Sequence, residues 1–375
     1  MRSELRRLHS SKARWAGTAL LATGALLLSG CAAEATPAAV TAAECETTTD
    51  THLLLSTFDL DVSYIPYGIL ADELGYFDEE CLNMTLDVTS TGATQALLGD
   101  QTDFAMSGPE QLVSANGGAS IGAKMVYNYI PNLNIYLGVL ADSDIESTAD
   151  LAGKTIGLEG TSSMYDAFLT ESLKPHGLGL SDITTIVTGY GSTPAEALKS
   201  GEVDAVLYWP GLFTSWEAAG YDIRILDGTE WSAGFDGIGL AARDDTITDD
   251  PELVESVSRA IARSTVYLQR YPESAVRIFW KAYPERAPLP GADEDAAMER
   301  DLAVLDSTLE SMGAMEQDED YTWGIQTEER WTSQIAYMQK AATVDAAAVI
   351  DANDFFTAEF TEAANDFDLD EITEQ

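Results

Sequence analysis

The sequence predicts an α/β protein of two lobes built on largely parallel sheets, and three observations carry that reading. Short apolar runs alternate with amphipathic segments from His52 to about Arg243, the pattern of buried strands joined by covering helices. About 320 residues follow a low-complexity beginning, enough for two buried cores and long for a single one. Beyond "GIGLAARDD" the pattern turns almost wholly helical.

Residues 1–30 come first. They carry Arg2, Arg6, Arg7, Lys12 and Arg14, followed by the fifteen-residue apolar stretch "AGTALLATGALLLSG". That stretch is too short to span a bilayer comfortably and, with its basic flank, reads as a secretion signal. It ends in "LLSGC", where small residues precede Cys31, and this resembles the bacterial lipobox, in which the cysteine is diacylated and becomes the new N-terminus. A plain signal peptide with an incidental cysteine is the alternative. Acyl chains contribute about 0.8 kcal/mol per buried methylene, so they hold a protein at a membrane without a spanning helix. The expected location is the extracytoplasmic face of the cell membrane, lipid-anchored. Residues 31–50, rich in Ala, Thr and acids and without periodicity, read as a flexible tether.

Candidate strands follow at His52–Phe58, Met84–Ser90, Asp103–Ser107, Ala123–Ile130 and Leu133–Ala141. A second set lies in "KTIGLE", "ITTIVTG", "DAVLYW" and "YDIRILD". In "PELVESVSRAIARSTVYLQRY" apolar residues recur at helical spacing, and Asp249 and Asp250 before Pro251 supply a start signal. Further on, Trp331, Ile335 and Met338 fall on one helical face, and Phe356, Phe360, Ala363 and Phe367 on another, as a cover for the first lobe.

Charge excludes several function classes. The signal holds five of the 20 basic residues and one of the 63 acidic ones, which leaves 15 against 62, a net charge of −47. Phosphates would be repelled, so nucleic acid and anionic membrane surfaces are excluded as partners. Beyond the signal only His52 and His176 remain, neither in a ligand-spaced cluster with cysteine or carboxylate, so no metal site is expected. There is no glycine-rich phosphate loop and no serine-nucleophile elbow. No cofactor is expected, and nothing predicts oligomerisation, so a monomer is.

The stretches "GILADELGYFDEECLNMTLDV", "GATQALLGDQTDFAMSG", "DSDIESTADLAGKTIGLEGTSSMYDAFL" and "PAEALKSGEVDAVLYWPGLF" resemble, in order, the signatures of ABC-importer substrate-binding proteins. More narrowly, the chain is similar, from about residue 53 to residue 365, to the family shared by thiamine-pyrimidine-precursor binders and the nitrate, sulfonate and taurine receptors. The resemblance implies a two-lobed periplasmic-binding-protein fold of type II with a helical C-terminal extension on lobe 1. It also implies a small-molecule ligand and an importer permease as partners. Lobe 1 would be 50–140 plus 242–375 and lobe 2 would be 141–241, with hinges near Leu140–Asp144 and Asp236–Leu240. A related pyrimidine-synthase enzyme and a stand-alone sensor are the readings of other classes.

Open α/β sheets bind ligands at the carboxyl ends of their strands. The loops there read "YIPY", "SGPEQ", "GTSSMY", "GYGST", "YWPG" and "WSAGFD", with eight aromatics, no Lys or Arg, and Glu110 and Asp236 as their only acids. Stacking faces beside hydroxyls and a carboxylate suit a flat nitrogen-containing ring. The candidates are Tyr64 and Tyr67 from one lobe, Tyr208 and Trp209 from the other, and Tyr165. Ser107, Thr161, Ser162 and Ser163 would serve polar edges, with Glu110 or Asp236 as acceptor of a ring amine. A thiamine-type aminopyrimidine leads by resemblance. Two alternatives stay open: helix N-termini in these loops also suit nitrate, an alkanesulfonate or taurine, and Glu110 also suits a role at its helix start.

Two cysteines follow Cys31. Cys45 and Cys81 each lie a few residues before a predicted strand, in a disulfide-permissive compartment. If those strands pair in parallel the cysteines share one end of the pair, which predicts a Cys45–Cys81 bridge.

Overall fold

The computed structural model describes residues 6–7, 45–57, 60–131, 133, 135–160, 163–226, 235–313, 321–341 and 343–375. Cys31, the apolar stretch before it and most of the tether lie outside the described residues. In chain order the strands are β1 (Arg6–Arg7), β2 (Thr49–Ser56), β3 (Leu82–Thr89), β4 (Phe104–Ser107), β5 (Ala123–Asn128), β6 (Tyr136–Leu140), β7 (Thr155–Leu158), β8 (Thr184–Val187), β9 (Ala205–Tyr208), β10 (Ile223–Ile225) and β11 (Gly239–Arg243). The helices are α1 (Leu70–Glu73), α2 (Tyr76–Glu79), α3 (Ala93–Leu98), α4 (Pro109–Ser114), α5 (Ser163–Leu173), α6 (Thr193–Ser200), α7 (Pro210–Ala218), α8 (Asp244–Asp249), α9 (Pro251–Arg270), α10 (Pro272–Ala282), α11 (Glu294–Ser311), α12 (Glu328–Lys340) and α13 (Thr361–Ala364).

The strands form two mixed sheets. The first has the order β1-β3-β2-β4-β11-β5 and the second β10-β6-β9-β7-β8. In the first, β2 pairs in parallel with β3 and β4, while β11 runs antiparallel to β4 and β5. In the second, β7 is parallel to β8 and β9, and β6 is antiparallel to β9. Alternation explains why β2 needs cover on both faces: Leu53 and Leu55 enter the core that includes α9, and Leu54 enters the one that includes Trp331 and Ile335 of α12. Each such leucine contributes about 1.5–3 kcal/mol of burial.

The helix starting at Pro251 is capped by Asp250, whose carboxylate accepts from Leu253 N at 3.2 Å. Cys45 and Cys81 are joined, with Cα atoms 5.6 Å apart, at one end of the parallel β2–β3 pair, whose register matches Thr49 with Leu82. Cys81 has φ 60°, a left-handed turn conformation that usually falls to glycine.

Two features differ from the sequence reading, one a boundary and one in the tail. Tyr136–Leu140 belongs to the second sheet, so the first crossover falls at residues 129–135, ahead of Leu140–Asp144. Leu133–Ala141 has the apolar texture of either sheet, and only its antiparallel pairing with β9 assigns it. The second crossover, 226–238, ends against the first: Leu133 N donates to Phe235 O at 2.7 Å and Gly237 N to Ile130 O at 2.8 Å. The other difference lies in the tail, where Phe356, Phe360, Ala363 and Phe367 do not share a helix. A 3-10 turn at Ala352–Asp354 and the short α13 carry that stretch, and Phe356 bridges to Met125 at the margin of the first sheet. Phe355, Phe356 and Phe360 are nevertheless buried. In α12, Trp331, Ile335 and Met338 are buried, and Trp331 stacks on Phe356 at 5.5 Å. Most of the helical tail packs on the first sheet, and α11 also lies along α7 beside the second. Among the described residues, no helix is long and apolar enough to cross a membrane.

Candidate functional site

The cleft is built from strand ends. After β2, the chain turns at Val62–Tyr64, where Asp61 caps a 3-10 turn by accepting from Ser63 N at 2.9 Å. It then passes through Gly68 at φ +111°, where a Cβ would meet Leu53 at 2.9 Å, so only glycine lets "YIPYG" fold back over the sheet. This aims Tyr64 outward and Tyr67 inward. Tyr64 is half-buried, whereas Tyr67 is in the core, edge-on to Tyr64 at 5.8 Å and tilted on Tyr129 at 4.9 Å. Of the two predicted stacking rings on this lobe, the structure presents Tyr64 and uses Tyr67 as its backing.

On the second lobe β7 and β9 lie side by side with Leu158 opposite Leu207, so Glu159 and Tyr208 emerge together. Tyr208 is buried and its hydroxyl is committed: it donates to Gly189 O at 2.5 Å and lies 3.0 Å from the Thr188 hydroxyl. Trp216 Nε1 donates to Gly191 O at 2.7 Å. These two bonds fix the turn that carries Tyr190. Trp209, at the start of α7, is half-buried and lies 5.5 Å from the Tyr190 ring. The second lobe therefore presents Trp209 and Tyr190, with Tyr208 positioning the latter.

The lobes meet at these rings. The Tyr64 and Tyr190 phenols lie close enough across the junction to influence one another's ionisation, and Thr57 acts on Tyr64 from its own lobe. Burial pushes the Tyr64 phenol up to about 12, and burial also raises Tyr190, with Tyr64, Asp61 and Glu159 adding to the effect. Tyr165 of α5 donates to Glu159 Oε2 at 2.6 Å. Burial raises the Glu159 carboxyl above its ordinary 4.5, and the Tyr165 bond pulls against it. Besides the packing of α11 on α7, the Lys340–Glu171 ion pair at 2.6 Å joins the lobes through α12 and α5.

The other candidates divide. Glu110 sits in the first turn of α4, half-buried, and its charge reaches Tyr165 on the facing lobe. Ser107 is buried with its hydroxyl 2.9 Å from that of Thr94. Thr161 and Ser162 lie outside the described residues, and Ser163 opens α5. Asp236 is brought to the hinge: Arg330 Nε and Nη2 donate to its Oδ1 at 2.9 and 2.7 Å, and Asn128 Nδ2 at 2.8 Å. Its backbone is gripped too, since Asp236 N donates to Gln334 Oε1 at 3.0 Å and Gln334 Nε2 donates to its carbonyl at 2.9 Å. Tyr190 lies in the cleft loop "GYGST" but is not among the named candidates, and Glu159 is not named at all. Glu159 is the last residue of the predicted strand "KTIGLE" and Tyr190 directly follows "ITTIVTG", and a charged residue closing an apolar run at the carboxyl end of a strand is a signal that could have singled out Glu159.

Two α/β sheets joined by two crossovers, with strand-end loops facing one another, define a periplasmic-binding-protein fold. A protein of Bordetella bronchiseptica has a similar solved structure, with a TM-score of 0.60 at 23% identity, over 85% of this chain and 97% of that one. The periplasmic aliphatic sulphonate binding protein SsuA of Escherichia coli is similar with a TM-score of 0.59 at 16% identity, over 82% and 92%. The riboflavin-binding protein RibY of Chloroflexus aurantiacus is 24% identical over 351 residues, 89% of this chain and 94% of that protein. The NMT1/THI5-like family model matches residues 64–275, more than half of the chain. The chain belongs to that family.

Proposed function

We propose that this protein is the lipid-anchored, extracytoplasmic receptor of an ABC importer and that it carries a planar nitrogen heterocycle. The observation that supports the ligand class is the cluster of rings at the junction of the lobes: Tyr64 of the first lobe lies near Tyr190 of the second, Trp209 packs beside Tyr190, and the Glu159 charge reaches both tyrosines. Two aromatic walls can sandwich a flat ring, and the carboxylate can take a ring N–H. The six cleft loops contain no Lys or Arg, which disfavours a sulfonate or nitrate. An isoalloxazine of the riboflavin type leads, supported by the name of the full-length relative RibY. A thiamine-type aminopyrimidine is the smaller ring of the same class.

A thermal-shift screen of the purified, unlipidated body tests this against riboflavin, aminopyrimidines, nitrate and alkanesulfonates. A ligand at 100 times its Kd stabilises by about 2.7 kcal/mol. The expected hits are the heterocycles. Stabilisation by a sulfonate or nitrate, with the heterocycles silent, would overturn the ligand class.

A further inference from the structure

The cleft contains a carboxylate whose use is not exhausted by its protein contacts. Glu159 is the first residue after β7, in the second lobe, and is half-buried. Its Oε2 accepts the Tyr165 hydroxyl at 2.6 Å, and among the described residues its Oε1 has no hydrogen-bond partner. The residues its charge reaches come from both lobes: Tyr64 on the first, and Tyr165, Tyr190 and Tyr208 on the second. Two further acids face the same rings, Asp61 toward Tyr64 and Tyr190, and Glu110 toward Tyr165. Arg330, the basic residue at the hinge, is committed to Asp236.

A half-buried carboxylate with one open oxygen is an acceptor, and desolvation makes a matching N–H donor worth more there than in water. The same surroundings repel an anion, because acids near the ring find no compensating cation in the cleft loops. We propose that Glu159 is the specificity-determining residue of the cleft: its open oxygen accepts an N–H on the edge of the planar ring, and its charge excludes forms of that ring that carry a phosphate. Tyr165 is a positioning residue that holds the carboxylate toward the ring. This rests on the heterocycle reading of the cleft and narrows it to the unphosphorylated compound.

Calorimetry of the full body with riboflavin and its 5′-phosphate, and with an aminopyrimidine and its phosphate ester, tests the proposal. The wild type is expected to prefer the unphosphorylated member of the bound pair by at least tenfold. Glu159→Gln keeps an acceptor but removes the charge; it should weaken the unphosphorylated ring about tenfold and narrow the preference by that factor or more. Wild-type affinity should fall as pH is lowered through the raised pKa of Glu159, and the Gln variant should lose that dependence. Tyr165→Phe removes the bond that lowers this pKa, so the fall should move to higher pH even if Glu159→Gln folds poorly. If the wild type binds a heterocycle while Glu159→Gln keeps the same affinity, preference and pH profile, the role of Glu159 is overturned and the heterocycle reading stands. If the wild type binds none of the four compounds, both fall.

Discussion

Replacing Arg330 by Ala should expose how the hinge is held. Asp236 is fully buried, and its Oδ1 receives two guanidinium bonds at 2.9 and 2.7 Å and one amide bond at 2.8 Å. Removing one partner of a buried pair leaves an uncompensated charge and costs about 3–5 kcal/mol. At roughly 0.7 kcal/mol per kelvin for a body of this size, Tm should fall about 4–7 °C. Burial already pushes the Asp236 carboxyl above its ordinary 3.8, with Arg330 and Asn128 pulling it back. Without Arg330 it rises further. A carboxyl whose folded pKa exceeds its unfolded value binds protons more readily when folded, so stability falls as pH rises through that interval. The loss relative to wild type should therefore be full at pH 7.5 and smaller at pH 5, and adding Asp236→Asn should recover part of it. Denaturant unfolding at both pH values is the assay. A loss under about 1 kcal/mol at pH 7.5, or an equal loss at pH 5, would refute the reasoning.

Other consequences concern the covers of the first lobe. Reducing Cys45–Cys81 opens a loop whose ends are 36 residues apart and should cost about 3–4 kcal/mol in the chain-entropy model; two free thiols in the unreduced, denatured protein would show that the bridge does not form. Truncation after Ala341 strips Phe355, Phe356 and Phe360 from their sites, each contributing roughly 1.5–3 kcal/mol. It also removes the strand-like pairing of Phe355 and Thr357 with Met125. The truncated protein should melt far lower or precipitate, and an unchanged Tm would show the tail to be dispensable.

What could be read from the sequence follows from what is local. The β2 and β3 runs were legible in their apolar texture, and the structure supplies the parallel pairing on which the expected Cys45–Cys81 bridge was conditional. Asp250 and Pro251 marked the start of α9, whose apolar residues recur at helical spacing. Sheet membership was not legible: Leu133–Ala141 is apolar in either lobe, and only its partner β9 decides. The orientation of the site residues is likewise not local. Tyr208 and Trp209 are adjacent in a strand-to-helix turn, so one faces inward and the other the cleft, and Tyr67 turns inward through Gly68. Asp236 looked like a cleft acid because its partners, Arg330 and Gln334, are about a hundred residues away.

The most direct test of the account is calorimetric titration of the unlipidated body, wild type and Trp209→Ala, with riboflavin, an aminopyrimidine, nitrate and an alkanesulfonate. Trp209 lies 5.5 Å from Tyr190 at the junction of the lobes, and losing its face should weaken binding by about 1–3 kcal/mol, roughly 5- to 150-fold. The account predicts that a heterocycle binds the wild type, that the substitution weakens it by this amount, and that neither anion binds. Tight binding of nitrate or the sulfonate, with both heterocycles silent and the substitution without effect, would contradict it.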